Sequence, residues 1–315
     1  MRITGKSIPR HRVMDIVEKI NKLKRSQNAI ILAHNYQLPE VQDIADFVGD
    51  SLGLSIQAAG TDAKVIIFCG VYFMAETAKI LSPQKTVLIP DRDAGCPMAD
   101  MVTAEDVRRL KKEHPKAKVL CYVNTTADVK AECDLSCTSA NALAMVNGAL
   151  KNDDEVIFVP DMHLADYVAQ QANREFIIWN GYCPSHVKIL PEDIIKLKTE
   201  HKDAIILAHP ECPRAIRELA DKVLSTEAMC AFASGSHNNV FIVATEVGIL
   251  HKLRKENPDK VFIPASERAL CPNMKKITLE KILWSLEEMA FEVRIEQETM
   301  FRARQCLRRM LEYRA

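Results

Sequence analysis

Apolar residues in this chain come in short, unbroken runs that stop abruptly on polar side chains. Residues 29–33 run into His34, Asn35 and Tyr36, residues 119–121 into Tyr122, Val123 and Asn124, and residues 204–208 into His209, Pro210 and Glu211. A run that is apolar at every position, not every second one, marks a strand covered on both faces. Further runs of this kind fall at 65–69, 86–90, 156–159, 176–179, 240–243 and 261–264. Between them lie stretches with helical spacing. One covers 12–25, apolar at Val13, Ile16, Val17, Ile20 and Leu23; others cover 41–48, 73–81, 103–113 and 191–200. Strand and helix alternate, which predicts an α/β fold with parallel sheets between layers of helices.

The pattern repeats. His34, Tyr122 and His209 lie 88 and then 87 residues apart. Two residues after each comes a second polar group (Tyr36, Asn124, Glu211), and seventeen after each a hydroxyl (Ser51, Ser139, Thr226). The third strand of each unit leads into a Cys-Pro pair at Cys96, Cys183 and Cys271, spaced 87 and 88 apart. A period of this size signals a tandem supersecondary unit. The expected division is three α/β repeats over 1–102, 103–190 and 191–277, each with three strands. A C-terminal segment, 278–315, holds a helix, an extended piece near 293–295 and an amphipathic helix, and is expected to pack on the first repeat.

Open α/β sheets carry functional groups beyond the carboxyl ends of their strands. Three such units around a pseudo-threefold axis would turn the nine polar positions and the three cysteines toward one central cavity. Three thiolates with no fourth cysteine in register describe a metal centre with one open position. Zinc held by three cysteines and a water meets that description. So does a [4Fe–4S] cluster with one iron free of protein ligands. The plainer alternative is three buried thiols carried along by duplication. Cys69, Cys121, Cys230 and Cys306 sit in apolar stretches and read as packing residues. Cys133 and Cys137 form an incomplete cluster spacing, because position 140 is Ala, and Cys212 reads as a bystander.

Glu211 beside His209 is a candidate general base, its pKa expected to rise toward neutrality in a low-dielectric cavity. Ser51, Ser139 and Thr226 suit helix capping, or the binding of carboxylate and phosphate oxygens together with helix N-terminal amides. His186, three residues after Cys183, is placed to touch substrate or the metal surroundings.

Charge and composition narrow the field. Lys+Arg and Asp+Glu both total 42, so no basic surplus points to nucleic acid. Charges interrupt every apolar run before membrane-spanning length, and the first six residues lack a signal-peptide pattern. Ten cysteines without that pattern are not a secreted disulfide framework. The expectation is a soluble cytoplasmic protein without nucleic-acid or membrane partners. Neither G-x-G-x-x-G, a P-loop nor G-x-S-x-G is present. What remains is condensation and dehydration of small polyanions. A zinc-dependent aldolase or hydratase, and an iron–sulfur redox sensor, stand as alternatives.

The motifs His34-Asn35-Tyr36, Gly49-Asp50-Ser51, Cys96-Pro97, Tyr122-Val123-Asn124, Cys137-Thr138-Ser139-Ala140-Asn141, Gly181-Tyr182-Cys183-Pro184-Ser185-His186, His209-Pro210-Glu211-Cys212, Ala244-Thr245-Glu246-Val247-Gly248 and Cys271-Pro272-Asn273-Met274 together resemble the quinolinate synthase A family, in the family's order. The resemblance implies three α/β units around one [4Fe–4S] cluster per chain, held by Cys96, Cys183 and Cys271. It implies condensation of iminoaspartate with dihydroxyacetone phosphate to quinolinate, losing phosphate and two waters, in de novo NAD biosynthesis. Substrate-binding residues would be His34, Ser51, Tyr122, Val123, Asn124, Ser139, His186, His209, Pro210, Glu211 and Thr226. Tyr36 with His34 would assist tautomerisation of the triose, and Glu211 with His209 would move protons, with Tyr122 also in the catalytic set. It leaves room for functional coupling to an iminoaspartate-producing enzyme. Two departures stand out. Ser225-Thr226-Glu227-Ala228 replaces a Ser-Thr-Ser-Gly common in the family, and Met274 and Ile277 replace the extra cysteines some members carry near the last ligand.

Overall fold

The structure, a computed structural model, describes residues 10–313. The first six residues, read above as no signal peptide, lie outside the described residues. Three four-stranded parallel sheets make up the chain. The first holds β1 (Ala29–His34), β2 (Phe47–Gly49), β3 (Val65–Cys69) and β4 (Thr86–Leu88), in spatial order β2-β1-β3-β4. The second repeats that order with β5 (Lys118–Tyr122), β6 (Leu135–Cys137), β7 (Val156–Val159) and β8 (Ile177–Ile178). The third repeats it again with β9 (Ile205–Ala208), β10 (Lys222–Val223), β11 (Val240–Ala244) and β12 (Val261–Pro264).

Helices connect the strands, four to a unit. They are α1 (Arg10–Gln27), α2 (Pro39–Ile44), α3 (Ser51–Gly60) and α4 (Tyr72–Leu81), then α5 (Ala104–Glu113), α6 (Ala127–Glu132), α7 (Ala142–Asn147) and α8 (Met162–Ala172). The third set is α9 (Pro191–Glu200), α10 (Arg214–Leu219), α11 (Thr226–Gly235) and α12 (Ile249–Glu256). All five residues of β3 and all four of β7 are buried, as strands covered on both faces must be.

Each sheet has one strand more than the apolar runs predict. The extra strand is β2, β6 or β10, only two or three residues long, and so short a strand carries no readable period. The helical stretch expected over 41–48 accordingly splits into the end of α2 and the start of β2. An aspartate anchors each of these strands. Asp46, Asp134 and Asp221 accept the backbone N–H groups of Ile31, Val119 and Ile206 at 2.7, 2.9 and 2.8 Å. Their own N–H groups return to the carbonyls of the same three residues. The reciprocal pair fixes the short strand beside its neighbour and satisfies groups that would otherwise be buried unpaired.

The tail adds α13 (Leu279–Glu288) and α14 (Gln297–Glu312). Helix α13 packs on α1, and the extended piece between the two helices runs antiparallel to β4, with Val293 N–H donating to Val87 at 2.8 Å. Helix α14 behaves differently from the expectation that the tail packs on the first repeat. It lies against α6 and β6 of the second unit as well as α4 of the first. Its apolar face (Ala303, Cys306, Leu307, Met310) is fully covered, and Asn141 donates to the carbonyls of Met310 and Tyr313 at 2.9 and 2.8 Å. Among the described residues no helix is long and apolar enough to cross a membrane.

Candidate active site

The carboxyl ends of the three sheets meet at one cavity of about 70 Å³. His34 closes β1, Tyr122 closes β5 and His209 follows β9 directly, so the three repeats each deliver a side chain to the same place. Cys96, Cys183 and Cys271 line it as well, one from each unit.

Each cysteine is followed by proline and then by a one-turn 3₁₀ helix: Ala99–Met101, His186–Lys188 and Met274–Lys276. The turn aims backbone N–H groups at the sulfur. Cys96 accepts from Ala99 and Met98, Cys183 from His186 and Ser185, and Cys271 from Met274 and Asn273. Burial pushes all three thiols up, Cys96 to about 12, and these N–H groups oppose it by favouring the thiolate. A buried carboxylate holds the backbone of one ligand candidate: Glu246 accepts the N–H of Cys271 at 3.0 Å. The buried Asp161 carboxyl lies near the backbone of Cys183 with its Oδ2 unpartnered. Three soft donors on one cavity wall, each with N–H groups on its sulfur, fit a metal cluster bound through thiolates. A second combination is close: Cys183, His186 and Glu211 have ligand atoms all within 4.8 Å of one another.

The imidazoles are held in defined tautomers. Nδ1 of His34 accepts the N–H of Tyr36 at 3.2 Å, and Nδ1 of His209 accepts that of Glu211 at 3.3 Å. On the neutral rings the proton therefore sits on Nε2. Burial lowers both rings to about 3, against the pull of Glu211, so both are neutral near pH 7. Nε2 of His209 lies 3.2 Å from the Ser139 hydroxyl.

Glu211 is 4% exposed and sits among polar groups of the cavity. The Tyr122 hydroxyl donates to its Oε1 at 2.6 Å, and His186 Nδ1 stands 2.8 Å from its Oε2, somewhat off the line of a good hydrogen bond. The expected rise in its pKa does not occur. Burial pushes the carboxyl up, but His186, His209 and the Tyr122 hydroxyl outweigh it and hold the group below the usual carboxylate range. Burial and the neighbouring Glu211 charge raise the phenols of Tyr36 and Tyr122 well above their ordinary range.

A family model described as quinolinate synthetase A protein matches residues 18–312. The chain belongs to the quinolinate synthase A family. A protein of Dehalococcoides mccartyi (strain CBDB1) named quinolinate synthase is 53% identical over 94% of this chain and 97% of its own length. Quinolinate synthase 1 of Methanosarcina acetivorans and quinolinate synthase of Geobacter metallireducens are each 52% identical, over 94% of this chain and 97% of theirs. Among solved structures, the E-1-hydroxy-2-methyl-but-2-enyl-4-diphosphate reductase from Plasmodium falciparum aligns with 84% of this chain and 81% of that one at 15% identity. Its TM-score of 0.29 is too low to bear on the fold.

Of the residues that resemblance to quinolinate synthases singles out, His34, Tyr36, Ser51, Tyr122, Asn124, Ser139, His186, His209, Glu211 and Thr226 all line the cavity. Val123 and Pro210 do not: they are buried behind it, and the Val123 N–H is spent on the Cys137 carbonyl at 2.8 Å. Ser51 and Thr226 are the first residues of α3 and α11, and the capping itself is done by Asp50 and Ser225. That leaves the two hydroxyls beside helix N-termini and turned to the cavity. The expected partnership of Glu211 with His209 is looser than its approach to His186, 3.9 against 2.8 Å.

Sequence reasoning gave no role to Asp161, Thr245 or Glu246, although the last two stand in a motif named above. Cys69, Val159 and Ala244 occupy one register on β3, β7 and β11, paired with Ala33, Cys121 and Ala208. Val71, Asp161 and Glu246 lie two residues beyond that register. The intervening connections differ in length, so these positions escape a search at 87 or 88 residues. The strand-end rule would have found them.

Proposed function

We propose that this member of the quinolinate synthase A family condenses iminoaspartate with dihydroxyacetone phosphate, releasing phosphate and two waters, and so supplies quinolinate for de novo NAD biosynthesis. The observation that carries the reading is one cavity receiving three cysteines, three hydroxyls and the Glu211 cluster from three separate units. When bound by Cys96, Cys183 and Cys271, a [4Fe–4S] cluster supplies an iron without a protein ligand, which is a Lewis acid. Ser51, Ser139 and Thr226 bind carboxylate and phosphate oxygens, two of them beside the N-terminal amides of α3 and α11. His34 and His209, neutral with Nε2–H, donate to the same anions without adding charge. Asn124 Oδ1, which has no protein partner, accepts from a substrate N–H or O–H. Tyr36 with His34 assists tautomerisation of the triose. Glu211, ionised and steadied by Tyr122 and His186, takes protons released in the dehydrations.

The division of the chain at 102, 190 and 277 belongs to the same reading. So do a cytoplasmic location, in keeping with ten unpaired cysteines, and functional coupling to an enzyme that supplies iminoaspartate. The proximity of Cys183, His186 and Glu211 favours a second reading, a zinc-dependent aldolase or hydratase. Anaerobic purification followed by an assay with iminoaspartate and dihydroxyacetone phosphate separates them. The expected result is a brown protein with about four irons per chain that forms quinolinate, and a Cys183→Ala variant that forms none. A colourless, zinc-loaded protein without quinolinate production would overturn the proposal.

A further inference from the structure

Gln42, Lys130 and Arg217 are buried polar side chains that no step above uses, and they lie 88 and then 87 residues apart. Each stands eight residues after the strand-end group of its unit (His34, Tyr122, His209) and is the fourth residue of a six-residue helix: α2, α6 and α10. Each turns its donors back to the loop beyond the strand. Gln42 Nε2 shares its two protons among the carbonyls of Asn35, Gln37 and Gly248, at 3.2, 2.9 and 3.0 Å. Lys130 Nζ donates to the carbonyls of Val123, at 2.8 Å, and of Thr125. Arg217 Nε donates to that of Cys212 at 3.0 Å. These loop carbonyls flank Tyr36 and Asn124 and follow Glu211, the side chains that the three loops present to the cavity. The same three residues also reach a neighbouring unit. Gly248, bonded by Gln42, belongs to the third. Lys130 Nζ stands 5.5 Å from the centre of the Phe73 ring in the first, where Glu76 accepts the N–H of Ala127 at the start of α6 at 3.0 Å. Arg217 pairs with Asp166 in the second and lies 5.6 Å from the centre of the Tyr167 ring. Unit one thus reaches three, two reaches one and three reaches two, and the contacts close a ring.

We propose that Gln42, Lys130 and Arg217 are positioning residues, each fixing the loop that presents Tyr36, Asn124 or Glu211 and setting it against the neighbouring unit. Carbonyls just past the end of a strand have no ladder partner, and buried ones need a donor from elsewhere. An amide, an ammonium and a guanidinium all meet that need, so the address repeats while the residue type does not. Dependence on the donor should be greatest at Asn124. The Tyr36 hydroxyl is also held 2.6 Å from that of Thr245, and Glu211 has Tyr122 and His186. Asn124 Oδ1 has no protein partner, so its aim is set by its loop. The effect on substrate rests on the function proposed above; the effect on the loop does not.

Lys130→Met keeps most of the length and the apolar stem of the side chain and removes its donors. With the iron content of the holoenzyme unchanged, it should lower kcat/KM for quinolinate formation about 100-fold, the scale of a misplaced group. Most of the loss should appear in KM, because the group it displaces binds substrate. In an Asn124→Ala background the same substitution should cost less than about threefold, since the side chain that Lys130 aims is gone. A role in packing alone predicts equal losses in the two backgrounds. That result, or a Lys130→Met enzyme at the wild-type rate, would overturn the proposal. Should Lys130→Met fail to fold, Lys130→Gln, with a shorter and neutral donor, is read in the same cycle. An anaerobic crystal structure of the variant should show residues 123–125 displaced while β5 keeps its register. If wild-type protein makes no quinolinate, the functional reading fails alone, and this structure still decides: an unmoved loop would refute the role of Lys130.

Discussion

His34 and His209 are each buried and each hold the N–H of the residue two positions on, so the folded chain keeps them neutral down to about pH 3. In the unfolded chain the same rings take up protons near pH 6.5. Between those values the unfolded state binds more protons, so stability present above pH 6.5 is lost as the pH falls toward 3. Each ring should contribute a slope of about 1.4 kcal/mol per pH unit in that window. Urea midpoints measured from pH 7 to 4.5 should fall for the wild type and fall less for His34→Asn; parallel curves would refute the assignment. Glu211 is a different case, because its neighbours keep it charged. Glu211→Gln retains the shape and should cut quinolinate formation on the order of 100-fold or more, with iron content unchanged. Residues of this kind were legible in the sequence because each stands where an apolar run ends. Thr245 and Glu246 stand at such an end too, but the variable connections before them break the period that drew attention to the others.

Secondary structure divides along similar lines. Long elements with a complete apolar pattern, such as β3 or α9, follow from sequence to within a residue or so. The edge strands β2, β6 and β10 do not, since two or three residues cannot show a period and tertiary hydrogen bonds hold them. Asp46, Asp134 and Asp221 do that work, and they recur at the 88- and 87-residue spacing of the strand ends. Asp134→Ala strands the Val119 N–H and should cost about 1–3 kcal/mol in chemical denaturation. A cost no larger than that of an exposed control substitution would show that the short strand needs no anchor. The terminal helix was legible as amphipathic, but not as bridging two units, because its apolar stripe says only that something covers it. Leu307→Ala, at a fully buried position of α14, should cost about 2–5 kcal/mol. Phe301→Ala on its exposed side should stay within about 0.5 kcal/mol.

Convergence of the three units is the property that neither residues nor elements show by themselves. Two kinds of contact can bring it about: apolar packing between the units, and shared ligands at the cavity. The largest apolar core runs continuously through all three sheets, taking in Leu32 and Ile67, then Leu120 and Phe158, then Leu207 and Phe241. Docking of the units therefore does not depend on what the cysteines hold. A group bound only by the folded state adds stability by mass action and leaves that core as it is. Stripping iron anaerobically with a chelator should lower the unfolding temperature while far-UV circular dichroism and hydrodynamic size stay those of the compact chain. Because each unit supplies one thiol, Cys96→Ala, Cys183→Ala and Cys271→Ala should reduce iron content alike. A variant that kept its full iron would remove that cysteine from the centre. An iron-free chain that expanded would mean that the centre, and not the apolar core, holds the units together.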